Sequence, residues 1–225
     1  MMKSFLPLLA AAGLAVAGCN QVASAAEPVV AAPAALKKSK ESGLKTAIFA
    51  GGCFWGVEGV FSRVKGVRSA VSGYHGGNEA TATYDRVNSG VTGHAEAVRV
   101  TYDPSQIRYD QLLRIFFSVV ADPTLKNRQG PDRGSQYRAA LVPMSDDQRA
   151  VAAAYLKQMG RSGKWNAPIV TQLETYKKFY PAEAYHQDFM EKNPRHSYIT
   201  RWDAPKVRAL AQMYPAVHRA TFVKD

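Results

Sequence analysis

One cysteine in the body of this 225-residue chain stands where a thiol can become reactive. Cys53 lies in the run Gly51-Gly52-Cys53-Phe54-Trp55-Gly56, after an apolar segment at 46–50 and before apolar residues at helical spacing. The two glycines allow a tight turn from a strand into a helix, which places Cys53 at or near the helix N-terminus. Unpaired backbone N–H groups there favour an anion, so we expect a lowered thiol pKa and a nucleophilic thiolate. A small buried core cysteine is the alternative.

Glu96 is the second residue whose position could do chemistry. It shares one face of a predicted strand at 94–102 with Val98, Val100 and Tyr102. An apolar environment would raise the pKa of its carboxyl group, because desolvation disfavours the charged form. A glutamic acid that is protonated near neutral pH can act as a general acid. On these residues alone one alternative stays open, in which Glu96 lies at the strand end, its carboxylate reaches water and it has no catalytic role.

Alternating elements are predicted around these two residues. Period-2 and apolar segments predict strands at 46–50, 67–74, 94–102, 137–142 and 169–173. Helical spacing predicts helices after Cys53, at 109–120, from Ser145 to about Met159, and from Pro181 to Glu191. The loose interleaving of strands and helices predicts an α+β fold. We expect a two-layer sandwich with a central mixed sheet, of the ferredoxin-like plait type.

The first residues have the composition of an export signal. Met1-Met2-Lys3 precedes an apolar run from Phe5 to Ala17, which ends at Gly18-Cys19. We expect residues 1–18 to be a signal peptide of lipoprotein type, because Gly18-Cys19 resembles a lipobox in which the cysteine is lipidated and becomes the mature N-terminus. Cleavage after Ala23-Ser24-Ala25 would give a soluble periplasmic protein instead.

Composition predicts one domain behind a tether. Residues 19–42 are rich in Ala, Pro and Lys without an aromatic residue and predict a flexible linker, while residues 43–225 are long enough for one core. The net charge is +11, but the basic residues are scattered among acidic ones, which argues against nucleic-acid binding. No histidine or cysteine pair has metal-ligand spacing. We expect a monomer in the cell envelope, on the periplasmic side and anchored by lipid.

Six ordered motifs carry a family resemblance. From about residue 45 to residue 195 the chain resembles the peptide-methionine (S)-S-oxide reductases, the A-type methionine sulfoxide reductases. The motifs are Gly51-Gly52-Cys53-Phe54-Trp55-Gly56, Gly73-Tyr74-His75-Gly76-Gly77, Thr92-Gly93-His94-Ala95-Glu96, Asn127-Arg128-Gln129-Gly130, Asp132-Arg133-Gly134-Ser135-Gln136-Tyr137-Arg138 and Ala184-Tyr185-His186-Gln187. The resemblance implies that the (S)-epimer of methionine sulfoxide, in proteins and also free, is reduced to methionine, which leaves a cysteine sulfenic acid.

The resemblance also implies a role for each residue of the site. Cys53 matches the nucleophile that attacks sulfur, and Glu96 matches the acid that protonates the sulfoxide oxygen. The hydroxyls of Tyr84 and Tyr137 match those that hold that oxygen, and Asp132 matches an aspartate at the same pocket. Phe54 and Trp55 match the aromatic wall for the substrate methyl group, and His186 matches a histidine that supports the pocket.

Two positions depart from the family pattern. Many members carry one or two further cysteines near the C-terminus that reduce the sulfenic acid, and this chain has none after Cys53. It is similar here to a branch without recycling cysteines, which implies an external thiol, either a thioredoxin-like protein or a small thiol, and no bound cofactor. Ala121 stands where the family usually has histidine, and we expect a minor effect.

Two other functional classes remain open on the residues alone. One is a Cys-His hydrolase that pairs Cys53 with His94 or His186, which would hydrolyse an amide without added reductant. The other is a non-catalytic envelope lipoprotein that binds a partner with its aromatic surface. Both require the ordered motifs to be coincidental or decayed.

Overall fold

A six-stranded sheet forms the centre of the protein. The computed structural model describes Met1 and residues 29–223, so Cys19 and the rest of the predicted signal peptide and cleavage region, residues 2–28, lie outside the described residues. The strands are β1 (Lys45–Gly51), β2 (Val67–His75), β3 (Ala95–Tyr102), β4 (Arg128–Gln129), β5 (Asp132–Arg133), β6 (Ala139–Val142), β7 (Gln172–Leu173) and β8 (Phe179–Pro181). The sheet has the order β7-β6-β1-β3-β2-β8, and β4 pairs separately with β5.

Helices connect and cover the strands. The α-helices are α1 (Phe54–Phe61), α2 (Tyr84–Val87), α3 (Tyr109–Ile115), α4 (Asp146–Arg161), α5 (Phe189–Lys192) and α6 (Ala204–Met213). Two π-helical segments, Phe116–Val120 and Ile199–Asp203, extend α3 and precede α6. Short 3-10 turns lie at Glu79–Thr81, Ser135–Tyr137 and Ala184–His186.

The topology confirms the predicted fold class. Strands β6, β1, β3 and β2 lie side by side, and the chain passes through them as β1-α1-β2-β3-α3-β6, which is the ferredoxin-like order. Every pair in this set is antiparallel, while β6 and β7 are parallel, so the sheet is mixed. The fold is α+β with a central mixed sheet and helices packed against it.

Alternating side chains explain why β3 occupies the centre of the sheet. Val98, Val100 and Tyr102 are completely buried on the helix-covered face, where Phe49 of β1 joins them. Ala97 of β3 faces the opposite side, in a smaller cluster of buried side chains. This period-2 alternation also places Glu96 on the helix-covered side.

Three predicted elements differ from the structure. The predicted helix 181–191 is wrong: Pro181 ends β8, which pairs with the edge of β2, and α5 begins only at Phe189. An edge position tolerates proline because no ladder hydrogen bond from its nitrogen is needed. The predicted strand 169–173 is reduced to β7, and the strand predicted from Tyr137 begins at Ala139 because Tyr137 closes a 3-10 turn.

The described part of the predicted linker packs against the domain. We call residues 29–41 the N-terminal strap. The Ala32 backbone N–H donates to Ser118 Oγ at 3.0 Å, and the Ser39 N–H donates to Asp110 Oδ1 at 3.0 Å. Ala32 is 1% exposed. The structure therefore differs from the prediction of a flexible linker over this stretch, because its backbone groups find partners on α3, the first π-helical segment and α4.

In the part of the chain that the structure describes, no helix combines the length and the apolar character needed to cross a bilayer.

Candidate active site

Cys53 lies at the junction of β1 and α1 as predicted. It is the residue immediately before α1, and the preceding Gly52 has a φ of +86°. A Cβ at Gly52 would lie 2.6 Å from Gln129 Cβ, and one at Gly51 would lie 2.7 Å from the ring of Phe116. Only glycine fits both positions, since Gly52 needs a left-handed backbone and both approach neighbouring side chains closely. The turn therefore fixes where the thiol points.

The net shift of the Cys53 pKa is opposite to the one predicted. Burial raises the pKa of the thiol well above its usual value, and the nearby carboxylates of Glu96, Asp203 and Asp132 raise it further. The backbone N–H of Trp55, in the first turn of α1, lowers it, which is the helix-terminus effect that the sequence predicts. Desolvation and like charge outweigh that effect, so the thiol is protonated near neutral pH.

Glu96 is buried beside the nucleophile. The residue is 2% exposed, and its Oε2 accepts a hydrogen bond from the Phe54 backbone N–H at 3.0 Å. Burial raises the pKa of this carboxyl group to about 8, and the charges of Asp132 and Asp203 add to the shift, while the bond from Phe54 opposes it. Glu96 is therefore mostly protonated at pH 7, which the burial of its strand face predicts.

Tyr84 and Tyr137 approach the same place from different segments. Tyr84 begins α2, and its backbone N–H donates to Glu183 Oε1 at 2.9 Å, which anchors the turn. Burial raises the pKa of Tyr84 to about 12, and the Glu96 and Cys53 charges contribute. Burial also raises the pKa of Tyr137, again with contributions from Glu96 and Cys53. Both phenols are therefore neutral hydrogen-bond donors within electrostatic range of the thiol.

Asp132 is held by a tyrosine for which the sequence predicts no role. Asp132 begins β5, opposite Gln129 of β4, and its Oδ2 accepts a hydrogen bond from the Tyr198 hydroxyl. Burial, the Cys53 charge and the charges of Asp203 and Asp132 raise the pKa of Tyr198, so this phenol is neutral too. The C-terminal segment thereby closes over the β4–β5 hairpin next to the thiol.

An aromatic wall lies beside the thiol at the start of α1. Phe54 is 1% exposed, and its ring centroid is 4.9 Å from that of His186. Trp55 stacks on Phe189 with centroids 3.7 Å apart, and its Nε1 donates to His186 Nδ1 at 3.1 Å. His186 Nδ1 is therefore unprotonated, and burial lowers the pKa of the ring. His186 lies at 4.5 Å from the Tyr84 ring and joins the wall to the polar side of the site.

The structure thus brings all eight predicted site residues together, and it adds three that sequence reasoning missed. Glu183 accepts from both the Tyr84 N–H and the Tyr74 hydroxyl, while Phe189 and Tyr198 complete the aromatic wall. Glu183 directly precedes the Ala184-Tyr185-His186-Gln187 motif, which was the one sequence signal that could have found it, whereas Phe189 and Tyr198 lie outside the six motifs. Within the described residues, no group of three or more His, Cys, Asp or Glu is placed to hold a metal ion.

Comparison with known proteins identifies the family. The model of the peptide methionine sulfoxide reductases matches residues 45–217, which includes every residue of the site. The chain belongs to this family. It is similar to the peptide methionine sulfoxide reductase MsrA 2 of Mesorhizobium japonicum, with 54% identity over 78% of this chain and 90% of the relative. The MsrA 2 of Synechocystis is 49% identical over 76% of this chain and 80% of the relative.

Solved structures of the family share the fold. The reduced form of Mxr1 from Saccharomyces cerevisiae matches with a TM-score of 0.60 and 36% identity, over 68% of this chain and 87% of that protein. The methionine sulfoxide reductase A of Corynebacterium diphtheriae matches with a TM-score of 0.58 and 31% identity, over 70% of this chain and 78% of that one. These matches do not support the hydrolase or binding-lipoprotein alternatives.

Proposed function

We propose that this peptide methionine sulfoxide reductase acts on the (S)-epimer of methionine sulfoxide in proteins, with Cys53 as the nucleophile. Family membership makes the protein an oxidoreductase that reduces methionine sulfoxide with a thiol. One observation carries the assignment of roles: Glu96, buried and mostly protonated, is bound to the N–H of the residue that follows Cys53. A neutral acid beside a thiol is the pair that a sulfoxide reduction needs.

The chemistry follows from the polarity of the substrate. A sulfoxide has a positive sulfur and a strongly accepting oxygen, so sulfur attack by Cys53 builds negative charge on that oxygen. Glu96 donates its proton there, and the hydroxyls of Tyr84 and Tyr137 hold the oxygen. The oxygen moves to Cys53 as a sulfenic acid and methionine leaves. The thiol proton of Cys53 replaces the one that Glu96 gave up, so no net proton is consumed.

Stereoselectivity follows from two fixed sides of the site. Phe54 and Trp55 form the apolar side that accepts the substrate methyl group, and Asp132 and His186 support this pocket. The oxygen must point to Glu96 and the tyrosines. The positions of the methyl group and the oxygen and the direction of attack are then all fixed. Only one epimer of the pyramidal sulfur can therefore react with Cys53.

The test is turnover of purified (S)- and (R)-epimers of a methionine sulfoxide peptide, with dithiothreitol as reductant. We expect the wild-type enzyme to reduce only the (S)-epimer and Cys53→Ser to reduce neither. A wild-type enzyme that reduces neither epimer would refute the proposal. Reduction of the (R)-epimer at a comparable rate would refute the orientation argument alone.

We propose that a thiol from outside the chain resolves the sulfenic acid. After Cys53 the sequence has no cysteine. One external thiol therefore forms a mixed disulfide with Cys53 and releases water, and a second external thiol reduces this mixed disulfide and frees the Cys53 thiol. We propose a thioredoxin-like protein as the physiological donor, and a small thiol as the alternative. Trapping with a thioredoxin that lacks its resolving cysteine tests this proposal. We expect a mixed-disulfide adduct between this thioredoxin and the wild-type enzyme after substrate is added, and no adduct with Cys53→Ser.

We also propose that the enzyme is a lipoprotein on the periplasmic side of the cell envelope. Support comes from the signal-like residues 1–18 and from Gly18-Cys19 at the end of the apolar run. Processing that globomycin inhibits is expected. A mature N-terminus near residue 26 would instead favour the soluble periplasmic form.

A further inference from the structure

A cavity extends from Cys53 along the side of the site that Asp132 and Tyr198 form. Its volume is about 80 Å³, and its walls include Cys53, Asp132, Trp165 and Trp202. Glu96, Tyr84 and Tyr137 do not line it, whereas Asp132 and Tyr198 do, so the cavity adjoins the region that would hold the sulfoxide oxygen. Since one water needs about 10–15 Å³ on this scale, the cavity has room for roughly five to eight such volumes, enough for one Leu-sized side chain.

Both π-helical segments of the described chain border this cavity. Phe117, Val119 and Val120 come from the first and Trp202 from the second. A π-helical turn inserts an extra residue into a helix and is frequent at functional sites. With the two tryptophans, these side chains make the cavity mostly apolar.

Another part of the wall comes from the N-terminal strap. Val29 and Val30 line the cavity, and Val29 is 52% exposed although it is apolar. These valines are held in place by contacts farther along the strap. The Ala32 N–H donates to Ser118 Oγ within the first π-helical segment, and the Arg114 Nε–H donates to the Ala32 carbonyl at 3.0 Å.

A second group of contacts fixes the strap on α4. Gln158 accepts from the Leu36 N–H at 2.9 Å and donates to the Ala34 carbonyl at 2.8 Å, and the Tyr155 hydroxyl donates to the Pro33 carbonyl at 2.7 Å. Backbone groups of the strap are thus hydrogen-bonded to side chains of α4, of α3 and of the first π-helical segment. Val29 and Val30 reach the cavity because of this attachment.

We propose that this cavity is a subsite for the residue next to methionine sulfoxide in the substrate polypeptide, and that the N-terminal strap sets its preference for large apolar side chains. The inference rests on the proposed function, because Cys53 must attack the substrate sulfur. Only two methylene groups separate that sulfur from the substrate backbone, so the neighbouring side chain lies close to whatever adjoins Cys53. This cavity opens beside Cys53 and its walls are mostly apolar, although Asp122, Asp132, Arg201 and Lys206 also line it.

The test compares three substrates with dithiothreitol as reductant: a peptide with leucine on each side of the methionine sulfoxide, one with glycine, and N-acetyl-methionine sulfoxide. For the wild-type enzyme we expect kcat/KM to be about tenfold higher for the leucine peptide than for the glycine peptide, a typical gain for an apolar contact. In the double variant Val29→Ser, Val30→Ser the ratio is expected to approach one, with N-acetyl-methionine sulfoxide unaffected.

Two further variants separate the subsite from general damage. Gln158→Ala removes strap contacts without touching the cavity, so it is expected to lower the leucine-to-glycine ratio in part. Leu36→Ser is the matched control, because Leu36 lies on the same strap, is 85% exposed and does not line the cavity. We expect its ratio to equal that of the wild type.

Four outcomes would overturn the inference. They are a wild-type enzyme with no preference between the peptides, an unchanged ratio in the valine variant, an equal loss on all three substrates, and a defect seen only when thioredoxin replaces dithiothreitol. The last would assign the cavity to the reductant. Failure of the proposed function is distinguishable, since the wild-type enzyme would then reduce none of the substrates.

Discussion

Replacing Glu96 by glutamine should raise the stability of the protein at pH 7 and strongly lower its activity. Glu96 is 2% exposed, and its pKa is raised from 4.5 to about 8, mainly by burial. Glutamine has the same shape and keeps an oxygen for the Phe54 N–H, but it has no charge to bury and no proton to give. The apolar environment links the two effects, because it makes the charged form of Glu96 costly and thereby keeps a proton on Glu96 that can be given to the substrate.

The size of the stability effect follows from proton linkage. Between pH 4.5 and about 8 the folded state keeps a proton on Glu96 that the unfolded chain has lost, so wild-type stability falls as the pH rises through this window. At 1.36 kcal/mol per pKa unit, this contribution costs the wild type about 2–3 kcal/mol between pH 5 and pH 7. Glu96→Gln does not titrate, so its free energy of unfolding should rise by that amount relative to the wild type over the same interval.

Urea unfolding of both proteins at pH 5, 6 and 7 measures this difference. Activity is followed on the (S)-epimer with dithiothreitol. We expect kcat/KM of the wild type to fall above about pH 8, as Glu96 ionises, and that of Glu96→Gln to be lower by about 100- to 10,000-fold, the usual contribution of a general acid.

Asp103→Asn provides the control. Hydrogen bonds from Ser105, Arg68 and Gln106 lower the pKa of the Asp103 carboxyl group to about 2. Its contribution to stability is complete above pH 3.8 and is lost as the pH falls toward 2. No histidine is among its partners, so the stability difference between Asp103→Asn and the wild type should stay constant between pH 5 and pH 7. An equally constant difference for Glu96→Gln would refute the assignment of a raised pKa, and retained turnover in Glu96→Gln would refute its role as the acid.

Three further measurements test the geometry around the thiol. Gly52→Ala should lose activity and about 1–3 kcal/mol of stability, because a Cβ there meets another side chain at 2.6 Å and φ is +86°; Gly163→Ala, also at positive φ but with nothing within 4 Å of its Cβ, should lose less stability and stay active. Alkylation of Cys53 by iodoacetamide should still be accelerating at pH 9, since its pKa is raised well above 9.0, and a plateau near pH 7 would contradict this. Tyr84→Phe and Tyr137→Phe should each lower kcat/KM by about 100-fold or more through kcat, with KM unchanged, because these hydroxyls hold the sulfoxide oxygen in the transition state. Full activity in both variants would show that Glu96 acts without them.

Local chemistry made much of the fold and site predictable. The glycines before Cys53 and the apolar spacing after it predict the strand-turn-helix junction that the structure contains. Alternation along β3 predicts the burial of Glu96, since neighbours two residues apart share a face. The helix predicted from Pro181 is wrong because pairing with β2, a contact with a distant part of the chain, decides that segment. The packed strap was missed for the same reason, as its Ala, Pro and Lys composition says nothing about partners on α3 and α4.

By itself, the sequence determined which reactive groups are present and how the nearest residues orient them. These include the lone thiol at a helix start, the absence of a second cysteine after it, and the strand face that carries a carboxyl group. Only the tertiary structure decided the protonation state of Cys53 and the bond from Tyr198 to Asp132. Helix geometry alone favours a thiolate, but burial and three carboxylates from separate segments reverse the shift. A pKa depends on every charge and every solvent-excluding group nearby, whatever their distance along the chain, and so it is settled by packing.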